Sequence, residues 1–353
     1  MRIIRRISAV IIGFTFFIAG LFKLMDPVGA GLVMDEYFKF LHLGFLRFAS
    51  DFAGTAMALA ETIIGIALIT GVWRKVTAFV SLAVLSAFTL LTAVLAIFNP
   101  PMDCGCFGEA IHLTHFQSLV KNLVLLALWA LAYLPVGVIE PTRKIKYVSF
   151  TIASISACLF LLYSVFSIPL MDFTDYKPGT ELSSLENADW TQADEIVLLS
   201  FSDVQGQYAD SLALQGNVMT ASVYSPEKMP RQRWQKLSAF MDAAAEKGFT
   251  PLVLTASTPE LITEEVSSPE LLPYIYFADR RTLMTLNRSN GGVSFISDGQ
   301  IVAKWSVNRL PDKDELQELA DSDPIESLVA VSHASKLKFQ AFLLYILAVM
   351  LLL

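Results

Sequence analysis

Over much of the first half of the chain the apolar residues neither alternate nor recur at helical spacing; they run on almost without interruption. A helix crossing the ~30 Å hydrocarbon core of a bilayer needs about 20 predominantly apolar residues. Residues 7–22, 52–69, 76–98, 119–138 and 147–170 meet or approach that length and predict transmembrane helices. A further apolar run, residues 339–353, is short and reaches the last residue of the sequence, which fits a terminal anchor or a span cut short. The loop between Asp26 and Asp51 is itself apolar, with Tyr37, Phe38, Phe40, Phe45 and Phe48, and predicts a helix lying along a membrane surface.

From Asp172 the pattern changes. Residues 172–194 are rich in turn formers and read as a linker. Strand patterns follow at 195–201, 217–224, 251–255 and 274–278. Between them, residues 231–247 place Trp234, Leu237, Phe240, Met241 and Ala244 on one helical face, with Gly248 as a stop. Short helices are expected at 259–265, 281–287 and 311–320. Asp298-Gly299, between apolar runs at 292–296 and 300–305, predicts a hairpin. Strands and helices in this order predict an α/β domain with a mixed sheet. The expected organisation is a bundle at 1–140, a fifth membrane helix at 141–171, the linker, a soluble domain at 195–322 and a tail at 323–353.

Composition supports the division. Charged residues make up 17% of the chain, against roughly 25% in soluble proteins. The net charge of −7 and the absence of a basic surface run exclude a generic nucleic-acid binder. The basic residues that do occur set an orientation. Arg2, Arg5 and Arg6, then Arg74 and Lys75, then Arg143, Lys144 and Lys146 fall in alternate loops, which puts all three clusters on the cytoplasmic side. The loops 26–51 and 99–118, and the soluble domain, are then expected on the opposite side. Lys336 and Lys338 run against the rule but end a long domain, where it is weak. The first apolar run is too long, and too interrupted at Lys23, to read as a cleaved signal peptide ending at Val28-Gly29-Ala30.

Two features could carry chemistry. Asp103-Cys104-Gly105-Cys106-Phe107-Gly108 places two thiols close together in a predicted extracytoplasmic loop. Such a pair can exchange electrons as a disulfide, act as a static staple, or bind a metal. A ring closed over one intervening glycine is small and strained, which favours lability. For a metal, Met102, His112 and His115 lie in the same loop, and thiolate with thioether ligands suits Cu(I); the spacing is not that of a zinc knuckle. The third cysteine, Cys158, sits in an apolar run and reads as a small buried hydrophobe. The second feature is Glu61, an acid midway along an apolar helix, where ionisable residues are costly and tend to face a bundle interior. Lys23, at the end of the first apolar run, is its candidate partner, and Asp26 just after it is a further candidate functional residue. A snorkelling Lys23 and a protonated Glu61 would be the structural alternative.

Gly20-Leu21-Phe22-Lys23-Leu24 with Asp26-Pro27, Glu61 with Gly65 and Gly71, and the Cys104–Cys106 motif together resemble the DoxX/MauE family of four-helix, redox-associated membrane proteins, over about residues 1–140. The two-module layout is similar to DoxX-type proteins of Bacteroidetes. The resemblance implies a bacterial inner-membrane protein in which Cys104 and Cys106 pass electrons from a periplasmic thiol protein to a membrane acceptor, a quinone by analogy with DoxX sulfur oxidation. MauE proteins imply a role in methylamine metabolism, through disulfide formation in a periplasmic dehydrogenase. A non-enzymatic scaffold or assembly factor, or a Cu(I)-handling protein, are the other readings. The soluble domain's element order resembles a membrane-tethered thioredoxin-like fold. Ser225-Pro226-Glu227-Lys228 stands where that family's Cys-x-x-Cys belongs, and Asn290-Gly291-Gly292 where its cis-proline belongs. With no cysteine in the domain, the resemblance implies binding rather than thiol exchange there.

Overall fold

The computed structural model describes residues 2–134, 142–183 and 196–353. It divides into two compact units, Met1–Val165 with Ala341–Leu353, and Phe166–Gln340.

The first unit is a helical bundle: α1 (Arg2–Met25), α2 (Pro27–Phe40), α3 (Ser50–Thr70), α4 (Arg74–Phe98), a short strand β1 (Cys106–Glu109), α5 (His115–Tyr133) and α6 (Lys144–Phe166). Each starts or stops for a local reason. Asp26 accepts from the Gly29 N–H and Pro27 occupies the first turn of α2. Gly71, at φ +75°, ends α3 in the left-handed conformation. Thr114 and Gln117 form a reciprocal capping box, so α5 begins at His115, ahead of the apolar run at 119. Val138, the predicted end of that span, lies outside the described residues. Helix α6 stops at Phe166 rather than at Leu170, because Pro169 pushes the residue before it out of the helical region.

The loop expected to lie on a membrane surface is indeed helical, as α2, but its small-residue face, Gly29, Ala30 and Gly31, is buried against α3. The terminal run is part of a longer helix, α11 (Pro324–Leu352). Within this unit its Phe342 stacks on Phe160, with ring centroids 5.3 Å apart, and Tyr345 accepts a hydrogen bond from Ser156. Among the described residues six helices are long and apolar enough to cross a membrane, α11 included.

The second unit is an α/β domain. Its strands are β2 (Asn217–Val223), β3 (Thr250–Thr255), β4 (Ile275–Phe277), β5 (Gly292–Ser297) and β6 (Gln300–Trp305), in the order β4-β3-β2-β5-β6. β2, β3 and β4 are parallel neighbours, while β2–β5 and β5–β6 are antiparallel. Helices α7 (Arg231–Glu246), α8 (Ile262–Glu265), α9 (Arg280–Leu286) and α10 (Lys313–Asp321) supply the covering layers. The strand period of two divides the core. Met219, Ala221, Val223, Val253 and Phe295 pack with Trp234, Leu237 and Met241 of α7 on one face. Val218, Leu252, Leu254 and Ile301 pack with Leu283 and Leu286 of α9 on the other. Asp298 and Gly299 both adopt positive φ, as the predicted two-residue hairpin requires.

One predicted strand is corrected. Glu195 lies outside the described residues, and residues 196–201 form no ladder. They bury Leu199 and Phe201, but their backbone is satisfied elsewhere: Phe201 N donates to Asp210 Oδ1 at 2.8 Å and Leu198 O accepts from Tyr176 at 2.6 Å. The described part of the predicted linker, 172–183, is also packed. Tyr176 and Leu182 enter the core, Glu181 bridges to Gln300, and Asp172 pairs with Lys304 at 2.6 Å.

Candidate functional site

The site begins with how closely α1 and α3 approach. A Cβ on Gly65 would fall 2.4 Å from Phe17 N, and one on Gly20 2.6 Å from Thr62 N. Small residues permit this backbone contact between membrane helices. It brings Lys23, near the end of α1, beside Glu61 in the middle of α3. Lys23 Nζ donates to both carboxylate oxygens, at 2.8 and 2.9 Å, and both side chains are buried. Either charge alone would be very costly in apolar surroundings; paired and doubly hydrogen-bonded, they are tolerated. The Phe88 ring adds a face 5.8 Å from the ammonium.

The thiol loop descends on this pair. After α4 the chain turns at Asn99, φ +42°, and leaves through Pro100-Pro101. Gly105 has φ +58°, and a Cβ there would meet Val33 Cγ1 at 2.3 Å. Glycine is therefore required twice, for conformation and for space. The Tyr37 hydroxyl donates to the Cys104 carbonyl and pins the turn. The two sulfurs stand 3.2 Å apart, both as free thiols. Cys104 is 2% exposed; Cys106 is half-buried.

Their electrostatics diverge. The hydrogen bond from Cys104 draws the Cys106 thiol down to about 5; burial opposes this, and Lys121, Ser118 and Lys23 support it. The same hydrogen bond pushes Cys104 up, and burial adds to the rise. Burial and the two neighbouring sulfurs raise the Tyr37 hydroxyl well above its ordinary value, so it stays a donor.

All these groups meet at one cavity of about 70 Å³, lined by Lys23, Glu61, Cys104, Cys106, Lys121 and Asn122 among apolar walls from Phe16, Met34, Met57, Leu85 and Phe88. Asn122 is held there by a 3.2 Å hydrogen bond to Thr92 Oγ1. Two thiols in contact beside fixed positive charge form an arrangement suited to thiol–disulfide exchange.

Residues 1–135 match the family model described as Methylamine utilisation protein MauE. Residues 1–135 of the bundle are thus similar to MauE proteins. Neither the curated proteins nor the solved structures compared with the chain gave a match. The MauE match includes every residue lining the cavity and none of the sheet domain.

Other residues singled out in the sequence lie elsewhere in the bundle; Cys158, expected to be buried, is exposed on the outer face of α6 within this unit. Asp26 caps α2, its Oδ1 2.9 Å from Gly29 N, and does not line the cavity. The alternative metal set of Cys104, Cys106, Met102, His112 and His115 is not gathered. His112 Nδ1 lies 3.1 Å from Asp103 Oδ2 at the surface, and His115 Nε2 lies 3.1 Å from Pro100 O. Met102 does not line the cavity. Among the described residues no group of three or more His, Cys, Asp or Glu is arranged to hold a metal ion.

Sequence reasoning missed Lys121, Asn122 and Tyr37. The first two interrupt the apolar run at 119–138 and carry the same signal as Glu61, a polar group inside a predicted span. Tyr37 had no such signal, because its partner is a backbone carbonyl whose position depends on the folded loop. In the sheet domain, Ser225-Pro226-Glu227-Lys228 does not open α7. Pro226–Lys228 forms a single three-ten turn, and the Ser225 backbone is clamped by the Asn290 side chain at 3.1 and 2.7 Å.

Proposed function

We propose that the protein is a bacterial inner-membrane thiol oxidoreductase component in which Cys104 and Cys106 carry two electrons from an extracytoplasmic dithiol protein to a membrane acceptor. The observation that carries this reading is the contact of the two sulfurs, 3.2 Å apart, at a cavity that also holds Lys23, Glu61 and Lys121. In the forward cycle a client dithiol becomes a disulfide while the Cys104–Cys106 disulfide becomes a dithiol. Reoxidation of the pair delivers two electrons to the acceptor, and the accompanying protons come from the pair and from solvent.

A quinone-class acceptor suits the bilayer setting. The cavity is too small to enclose its ring: about 70 Å³, against the ~150 Å³ that holds benzene in a protein interior. The acceptor would therefore meet Cys106 at the rim. The MauE likeness supports a role in methylamine utilisation, through disulfide formation in a client enzyme.

The amino terminus would lie in the cytoplasm and the sheet domain in the periplasm. The basic residues of alternate loops support this orientation. The mixed sheet, with α7 following β2 and an antiparallel β5–β6 hairpin at one edge, supports a thioredoxin-like fold for that domain. Because it contains no cysteine, its role would be to hold the client.

The test is redox titration of the purified protein in detergent, with thiols counted by mass-tagging. A bridge that forms and is reduced above the roughly −300 mV limit typical of structural disulfides supports exchange. One that never forms, or yields only below that limit, leaves a scaffold. Reporter fusions after Lys75 and after Asp210 should read opposite compartments.

A further inference from the structure

The two cysteines are not equivalent in their surroundings, and the charge around them is unbalanced. Lys23 and Lys121 bring two positive charges to the cavity, and Glu61 brings one negative charge. Glu61 is already engaged by Lys23 through both its oxygens. Lys121 approaches the loop from α5 and stands over the Phe107 ring, 5.1 Å from its centroid, next to Cys106 in sequence. Among the described residues one positive charge is left over at the cavity, and no further carboxylate lines it. Lys121 is half-buried, so solvent screens that charge only in part.

The sulfurs differ in access. Cys104 is 2% exposed, with its carbonyl tied down by Tyr37. Cys106 is half-buried at the start of β1.

We propose, building on the exchange reading, that Cys106 is the sulfur that bonds to the client and Cys104 the buried leaving sulfur, with Lys121 as the positioning residue that keeps the reduced pair singly negative. A client thiolate attacks Cys106 Sγ of the oxidised pair. The Cys104–Cys106 bond breaks, a client–Cys106 bond forms, and Cys104 leaves with the electron pair and takes up a proton. The client's second thiolate then attacks the client sulfur of the mixed disulfide and expels Cys106 as a thiolate. The client has lost two electrons, and the pair has gained two electrons and one proton. The resulting negative charge matches the surplus positive charge of the cavity. The 3.2 Å contact is then the Cys104 thiol donating to the Cys106 thiolate. The raised Cys104 and lowered Cys106 agree with that assignment.

The charged and titratable groups facing Cys106 come from each surrounding element: Lys23 from α1, Tyr37 from α2, Glu61 from α3, Lys121 from α5, and Cys104 within the loop. Lys121 is the one among them whose removal alters charge without breaking the Lys23–Glu61 pair or the loop's own hydrogen bonds.

The experiment is limited alkylation of the reduced full-length protein in detergent with iodoacetamide. It is done in a Cys158→Ser background from pH 5 to 9, and sites are read by peptide mass spectrometry. Cys106 should be modified first, with a midpoint well below that of an ordinary thiol. Lys121→Gln should move that midpoint upward by about one unit and slow modification at pH 5, the acid end of the series, by about fivefold, while Lys121→Arg restores the parent profile.

Preferential modification of Cys104, or an unchanged profile in Lys121→Gln, overturns the assignment. Because alkylation needs neither client nor acceptor, it separates this proposal from the exchange reading. A pair that cycles in the redox titration but alkylates at Cys104 removes only the assignment. A pair that never forms a bridge removes the exchange reading whatever the alkylation order.

Discussion

Both units bury an ion pair, and they use it differently. In the sheet domain Asp172 is saturated: Lys304 donates at 2.6 Å, and the Thr174 backbone and hydroxyl donate at 3.0 and 2.7 Å. Burial would raise the Asp172 carboxyl, but these partners more than offset it and hold it below its ordinary value. That pair fastens a chain segment to a strand. In the bundle, Lys23 and Glu61 satisfy each other but leave Lys121 beside two sulfurs. A saturated pair contributes attachment; an unbalanced cluster provides a place for a transient charge. The contrast fits the proposed division of chemistry in the bundle and client docking in the domain.

The sharpest way to break the contrast is at the sulfurs. Cys104→Ser and Cys106→Ser should each reduce oxidation of an added dithiol peptide to background while the protein remains inserted and folded, as judged by size-exclusion elution and helical circular dichroism. Retained turnover in either variant would move the chemistry elsewhere.

The bundle's ion pair comes next. Lys23→Met should destabilise the bundle by about 3–5 kcal/mol, because it strands a buried carboxylate. Lys23→Met with Glu61→Leu should recover much of that loss. Thermal unfolding in detergent measures both; a single variant as stable as the parent would show that the pair is not buried in the folded protein.

In the domain, Lys304→Met should cost about 3 kcal/mol, the lower end of the same range, since Asp172 keeps some access to water. Because the folded carboxyl is depressed, the stabilisation is present above the ordinary carboxylate pKa and is lost as pH falls through the folded value. Chemical unfolding followed from pH 7 to pH 3 should show the parent losing stability on acidification, and Lys304→Met losing less.

The smallest expected effect is at Gly105. Gly105→Ala should cost about 1–2 kcal/mol for the left-handed conformation, with a further cost from the Val33 contact. Val33→Ala should relieve only the second part. Its clearer readout is a slower, less selective alkylation of Cys106, which would sharpen the link between loop geometry and thiol chemistry.

Much of this organisation could be read in the sequence because single residue types carried it. Apolar runs marked the spans, and Glu61 and the cysteine pair announced themselves by being out of place. The hairpin at Asp298-Gly299 and the amphipathic α7 followed from local rules. The errors arose where tertiary partners replaced local ones. Residues 196–201 have a strand's composition, but their hydrogen bonds go to Asp210 and Tyr176 instead of a neighbouring strand. Residues 172–183 have a linker's composition but are fixed by Lys304 and β6. The site itself was half legible. Lys23 was a candidate partner for Glu61, but the cavity that joins that pair to Cys104 and Cys106 depends on how closely α1 and α3 approach, which no spacing rule reports.

That approach has a mechanical consequence. Gly13 lies against the Gly65 carbonyl, where a Cβ would come within 2.9 Å. Lys23 is ten residues further along α1, about 15 Å at 1.5 Å per residue. With the two backbones in contact at Gly13 and again at Gly20, α1 has no fulcrum on which to rock against α3. A methyl group at Gly13 would supply one, and a wedge of about an ångström there would be carried along the helix to the ammonium. The glycines thus act as a gauge block: they fix the distance at which the thiol loop finds its charges.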